Sequence, residues 1–428
     1  MSPYRPAVAP TAPVTTLTRL SIQNPLTVES PDMTSNPSTP QPPPADTATL
    51  KHKVAASLQF VQNQVRRLVT NHPDFYPLYT DAGRWKHDKP AWTHWCDGFL
   101  PGMMWLFLES GTADDPKFWR EKAEHYSRQL EHRKEDRDVH DLGFIFYHGT
   151  YKRWFEATLR EGKPDYTLND VVVRAGQVLA MRFKEKGQYL RSFISDESLF
   201  IDIMMNVGII FFAARHLRDD NLMRVAREHC LTTRRTIVRG DGSTSHEGIF
   251  DTNTGEFLRQ TTHQGFRGDS CWSRGLAWSL YGYGTCYELT GDARFLNVAE
   301  ANAEYYLEHM AGDGVPPWDY DAPDTGPLSR SQPDSSAAAI AASGLFNLSR
   351  LTADRIRASA YHAAAMNAID TLTSPPYLAD GDVHWEGILR RGVYHIHKGL
   401  GVDESVMWGE FFFVEALTKA LASLSSVA

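Results

Sequence analysis

The chain has 428 residues, 42% of them hydrophobic, and a formal net charge of −8. That supplies a large core, while length alone is only a prior on domain number. The mild, dispersed acidity argues against nucleic acid and membrane as partners: there is no basic stripe, no polybasic segment and no apolar run long enough to span a bilayer.

Residues 1–46 are rich in Pro, Thr and Ser and include Pro40-Gln41-Pro42-Pro43-Pro44. Such a segment buries too little apolar surface to fold and is predicted to be a disordered tail. It lacks a charged start followed by an apolar block, so no secretory signal is expected. Residues 47–428 are predicted to form one domain. Their pattern is helical and paired: 51–70 with 98–110, 115–133 with 142–159, 166–183 with 198–217, 220–238 with 271–289, 293–310 with 335–351, and 353–372 with 403–424. In each pair the first helix is amphipathic and charged, and the second is more apolar and richer in small residues. Four scattered cysteines, Cys96, Cys230, Cys271 and Cys286, show no metal-ligand spacing. They predict a reducing, cytoplasmic setting.

Six hairpins with one apolar and one polar member close into an all-α ring, an (α/α)6 toroid with the apolar helices inside. The alternative is an open solenoid, which needs capping repeats that the sequence does not show. In a closed ring the inner helices run the same way, so their N-terminal ends share one rim. Trp95, His140, Asp141, Asp202, Arg274, Asp334 and Asp403 fall at or near those starts. Ordinary capping explains an acidic residue at a helix start. Asp202 differs, because it is read one turn inside its helix beside Ile201, Ile203 and Met204, where the neutral acid is favoured.

Asp141 and Asp202 are therefore candidates for a carboxyl pair facing one pocket, the usual equipment for protonating and hydrating a sugar bond. Two unrelated helix caps is the other reading. Between them in chemistry stands Gly268-Asp-Ser-Cys-Trp-Ser-Arg-Gly-Leu-Ala-Trp278. Its Trp272 and Trp278 suit sugar faces and its Arg274 suits a two-pronged grip on a carboxylate. The bland reading is a capped helix start with its tryptophans in the core. His246 and Gln264 sit in loops over the pocket and either face substrate or solvent. No HExxH, GxSxG, phosphate-loop or dinucleotide pattern occurs, and neither His94/Cys96 nor His395/His397 makes a metal site.

Taken in order, these motifs resemble the unsaturated glucuronyl hydrolases. The likeness runs from about residue 50 to 425. It rests on Trp92-Thr-His-Trp95, Gly98-Phe-Leu-Pro-Gly102, His140-Asp-Leu-Gly-Phe144, Asp202-Ile-Met-Met-Asn206, Gly242-Ser-Thr-Ser-His246, Gln264-Gly265, Asp269 to Trp278, Asp334-Ser-Ser336 and Gly401-Val-Asp-Glu404. Asp202 follows Asp141 by 61 positions. The resemblance implies an (α/α)6 glycoside hydrolase acting on lyase-generated oligosaccharides that end in a 4,5-unsaturated uronate. It implies Asp202 as general acid and base, Asp141 as its support, and Trp95, His140, His246, Gln264, Trp272, Arg274 and Trp278 as substrate-binding. It implies neither metal nor organic cofactor, and a monomer or dimer. Leu100 stands where relatives often carry an aromatic. Ile396-His-Lys-Gly-Leu400 keeps Lys398 without the serines of members that act on sulfated fragments, so unsulfated substrates are expected. The rival readings are an unsaturated rhamnogalacturonyl hydrolase, a sugar epimerase and a non-catalytic sugar-binding protein on the same barrel. Of these, the last has no use for an acid at Asp202.

Overall fold

Aspartates open most of the outer helices. The carboxylates of Asp115, Asp219, Asp292 and Asp354 accept backbone N–H groups that a helix start leaves unpaired. In the computed structural model the described residues are 47–87, 94–310 and 312–426. The predicted tail, 1–46, and Trp92 lie outside them. The helices are α1 (Thr47–Asn71), α2 (Phe99–Ser110), α3 (Pro116–Gln129), α4 (Tyr151–Arg160), α5 (Thr167–Ala180), α6 (Ile203–Asn206), α7 (Gly208–Leu217), α8 (Asp220–Thr236), α9 (Ser273–Thr290), α10 (Ala293–His309), α11 (Ser335–Leu351), α12 (Arg355–Leu372) and α13 (Met407–Ser426).

They form the expected (α/α)6 barrel. On the inner wall α9, α11 and α13 pack side by side, α13 meets α2, and the ring returns to α9 through residues 143–149 and α7. Outside, α3 packs on α2, α5 on α4 and α7, α8 on α7, α10 on α9, and α12 on α11. The helix α1 lies against both α12 and α13, which closes the outer ring. The inner helices are buried almost all round. In α11 even Ser335, Ser336 and Ser343 are enclosed, with alanines between them that let neighbours approach.

The inner wall departs from the sequence pattern at three places, all beside the rim. The expected helix 142–159 is a π-helix, Gly143–Gly149, followed by α4, with a break at Thr150. Close approach accounts for this. A side chain on Gly143 would meet the Asn206 backbone, one on Gly149 would run into the Gly98 carbonyl, and Asn206 Oδ1 takes the Phe144 N–H at 2.8 Å. The expected helix 198–217 begins late, because Ser198–Phe200 is the edge of a three-stranded antiparallel sheet with Glu247–Phe250 and Phe257–Thr261. The expected helix 403–424 likewise begins at Met407, because Leu400–Glu404 pairs with Gly392–His395. These short strands carry the loops that roof the rim.

Candidate active site

A cavity partly open to solvent lies at the end of the ring where the inner helices start. Its inner part is aromatic. Trp95 and Trp278 both flank Phe144, with ring centroids 5.5 and 5.0 Å away, and Trp408 supports Trp95 at 4.8 Å. Trp272, the residue just before α9, forms another part of the wall. The three tryptophans expected from the sequence thus reach one cavity, as do Asp141, Asp202, His140, Gln264 and Arg274.

Asp202 is at the start of α6, not one turn inside a helix, since the strand before it delays the turn. Its side chain makes no capping hydrogen bond. Oδ1 is enclosed and has no hydrogen-bond partner. Burial pushes the carboxyl pKa up to about 7, against the opposing charge of Arg274. Asp141, just before the π-helix, is held well above the usual carboxylate range, first by burial and then by the neighbouring Asp202. The two acids therefore sense each other across the cavity.

Each aspartate has a histidine at its side, and both rings are turned the same way. His140 Nδ1 accepts the Phe193 N–H at 3.0 Å, which leaves Nε2 to carry the proton, 3.4 Å from Asp141 Oδ1. His246 Nδ1 accepts the N–H of His263 at 3.0 Å, and its Nε2 lies 3.9 Å from Asp202 Oδ1 with no other partner. Burial keeps both rings neutral. His246 is not a surface loop residue over the pocket. It is buried behind Asp202, between Phe200 and Trp272, where the chain enters the strand Glu247–Phe250.

Arg274 corrects an expectation. Its guanidinium lies between the rings of Trp272 and Trp408, 4.4 and 4.9 Å from their centroids. Nη1 donates to the Val393 carbonyl and stands 3.5 Å from Asp334 Oδ2; Nη2 donates to Tyr394 O at 3.0 Å and to Gln264 Oε1. Both terminal nitrogens are committed, so no open fork faces the cavity for a two-pronged carboxylate grip. The residue instead fastens the hairpin 392–404 and Gln264 to α9. Asp269, in the same motif, is exposed and pairs with Arg267 at 2.6 Å, away from the cavity.

Sequence reading missed Phe193, Ile194 and Phe200, which line the cavity from loop and strand and carry no motif. It also passed over His263 and His395 as substrate-site residues, while Lys398, weighed as a sulfate contact, does line the cavity. No cluster of His, Cys, Asp or Glu suited to a metal occurs among the described residues.

No family model matches the chain. Over 370 residues it is 32% identical to an unsaturated glucuronyl hydrolase of Formosa agariphila, covering 84% of this chain and 88% of that one. Over 357 residues it is 31% identical to an unsaturated glucuronyl hydrolase of Bacillus sp. (strain GL1), covering 81% and 91%. A crystal structure of an unsaturated glucuronyl hydrolase specific for heparin matches with a TM-score of 0.78 at 28% identity, over 88% of this chain and 98% of that one.

Proposed function

The chain belongs to the unsaturated glucuronyl hydrolases, and on that premise we propose that Asp202 is its general acid and base, with Asp141 as partner. The enzyme is a glycoside hydrolase that removes the terminal 4,5-unsaturated glucuronyl residue from lyase-generated oligosaccharides by hydrating the C4=C5 bond. That bond belongs to an enol ether, electron-rich at C4. Protonated Asp202 gives its proton to C4, and the ring oxygen stabilises the positive charge that develops at C5. Water then bonds to C5 and returns a proton to the Asp202 carboxylate, which restores the acid. The hemiketal so formed rearranges and the glycosidic bond breaks. No covalent intermediate on the protein is required.

The observation that carries this assignment is a buried carboxyl that caps nothing and whose pKa is pushed up to about 7, so both of its forms are accessible near neutrality. Asp141, protonated, offers a hydroxyl proton to the sugar. His140 orients Asp141, and the Nε2–H of His246 steadies Asp202 while it is ionised. Trp95, Trp272 and Trp278 give the sugar its apolar walls and Gln264 a polar contact. The uronate is drawn by the charge of Arg274 and by the starts of the inner helices, which add their partial positive charge.

We also place the enzyme in the cytoplasm. The four cysteines are scattered and buried, so the fold does not lean on a disulfide framework of the kind common in secreted chains. Recovery of the native protein solely outside the cell overturns that placement. The reaction itself is tested with unsaturated glucuronyl disaccharides made by lyases, of both 1,3 and 1,4 linkage and with and without sulfate. The near-ultraviolet absorbance of the double bond is expected to fall for at least one of them. A flat signal with all of them sinks the assignment.

A further inference from the structure

One buried carboxylate beside the cavity takes no part in the chemistry above. Glu247 opens the strand Glu247–Phe250 and is 2% exposed. Its Oε1 accepts the Ser198 hydroxyl, and its Oε2 lies 3.3 Å from Nε2 of His263 on the cavity wall. A carboxylate taken this far out of water is costly unless it is bonded, so both partners matter.

Each partner leads to one of the two histidines beside the aspartates. On one side, Ser198 Oγ accepts the Ser192 hydroxyl at 2.7 Å, and Ser192 Oγ accepts the Ile194 N–H at 3.2 Å. Every donor in that run points toward Glu247, which is the final acceptor. The run holds the turn 192–194, and within that turn the Phe193 N–H donates to His140 Nδ1 at 3.0 Å. On the other side, Glu247 stands against the His263 ring, while the N–H of the same residue donates to His246 Nδ1 at 3.0 Å. A backbone N–H can only donate, so these two contacts set the tautomers. Each ring keeps its proton on Nε2, which faces Asp141 in one case and Asp202 in the other. The two amides that orient the histidines are thus tied to one carboxylate.

We propose that Glu247 is a positioning residue that couples the two halves of the active site, fixing the tautomers of His140 and His246 together. Its effect on turnover rests on the hydrolase reading; its effect on the ring nitrogens needs no substrate.

Nitrogen NMR of the histidine rings in isotope-labelled full-length protein reads the tautomers, with the two signals assigned by His140→Gln and His246→Gln. Wild-type turnover of unsaturated disaccharides is measured alongside, so failure of the hydrolase reading shows by itself. In wild type both rings are expected to carry the proton on Nε2; a proton on Nδ1 of either overturns the proposal at the outset. Glu247→Leu cuts both arms. It is expected to move both rings toward mixed tautomers and to lower kcat about thirtyfold, with KM within about threefold. Ser198→Ala cuts one arm. It is expected to disturb His140 but not His246 and to lower kcat about fivefold. Glu247→Gln still offers an oxygen to Ser198 and a polar group to His263, and is expected to restore the wild-type ring signals and most of kcat. If circular dichroism shows that Glu247→Leu does not fold, Ser198→Ala decides. Unchanged ring signals in folded Glu247→Leu overturn the proposal, as do unchanged His140 signals in Ser198→Ala. A loss of kcat with both tautomers intact also overturns it, because that is the mark of a merely structural carboxylate.

Discussion

Midway along the inner helices, Glu415 of α13 is buried and surrounded by donors. Arg153 and Ser343 bond to it, with the Tyr281 hydroxyl at 2.8 Å and Lys419 Nζ at 3.1 Å. These partners outweigh burial and hold its carboxyl well below the usual range, so it stays ionised. At the rim where those helices start, Asp202 lies near His246 and Arg274, yet its enclosed Oδ1 has no hydrogen-bond partner and burial raises its pKa to about 7. Burial raises both carboxyls, and the supply of donors decides the outcome. The middle of the ring uses a buried carboxylate to bind its helices together. The rim leaves one short of hydrogen-bond donors, and the result is a carboxyl whose neutral and charged forms are both populated near neutrality.

Replacing each carboxyl by its amide breaks the comparison most directly. Asp202→Asn is expected to lower kcat/KM by at least about a thousandfold, with a melting temperature no lower than wild type, since no structural bond is lost. A large drop in stability would contradict an idle, uncapping side chain. Glu415→Gln is expected to do the reverse. It leaves Arg153 and Lys419 short of a counter-charge and costs about 3 kcal/mol of stability, measured by denaturant titration, with kcat/KM of the folded enzyme near wild type. Arg274→Lys tests the correction at the cavity. Loss of the fork that holds Val393, Tyr394 and Gln264 is expected to lower the melting temperature by several degrees and kcat/KM by about thirtyfold, or about 2 kcal/mol. A grip on substrate alone would raise KM and leave melting unchanged. The mildest perturbation is pH. Asp202 must start protonated, so kcat/KM is expected to fall about tenfold per unit above about pH 7. A profile that stays level to pH 9 would remove it as the acid.

The outer helices were legible because their signals are local. The expected spans 220–238 and 293–310 end within two residues of α8 and α10, each opened by a capping aspartate. The ring itself followed from the alternation of polar and apolar helices. Near the rim the same reasoning failed. The strands Ser198–Phe200 and Leu400–Glu404 are three and five residues long, too short for a periodic pattern, and their pairing is with segments far along the chain. Asp202 was singled out for its apolar neighbours in sequence but placed a turn too deep, since it stands at the start of α6. Arg274 was found, yet its partners are backbone carbonyls at 393 and 394, and nothing in its own motif announces them. His395 was visible only as half of an unconvincing metal pair, because its place on the cavity wall is a property of packing.

Arg274 holds only the base of the hairpin 392–404. The guanidinium fixes one strand at its backbone, where side-chain identity at positions 393 and 394 is not read. The turn beyond it, Ile396–Lys398 followed by Gly399 at a φ of +60°, lies outside that hold. Its own tether is a side chain: His397 reaches the Gly265 carbonyl at 2.7 Å, while Lys398 lines the cavity, so the hairpin is anchored by backbone at its base and by a side chain at its tip.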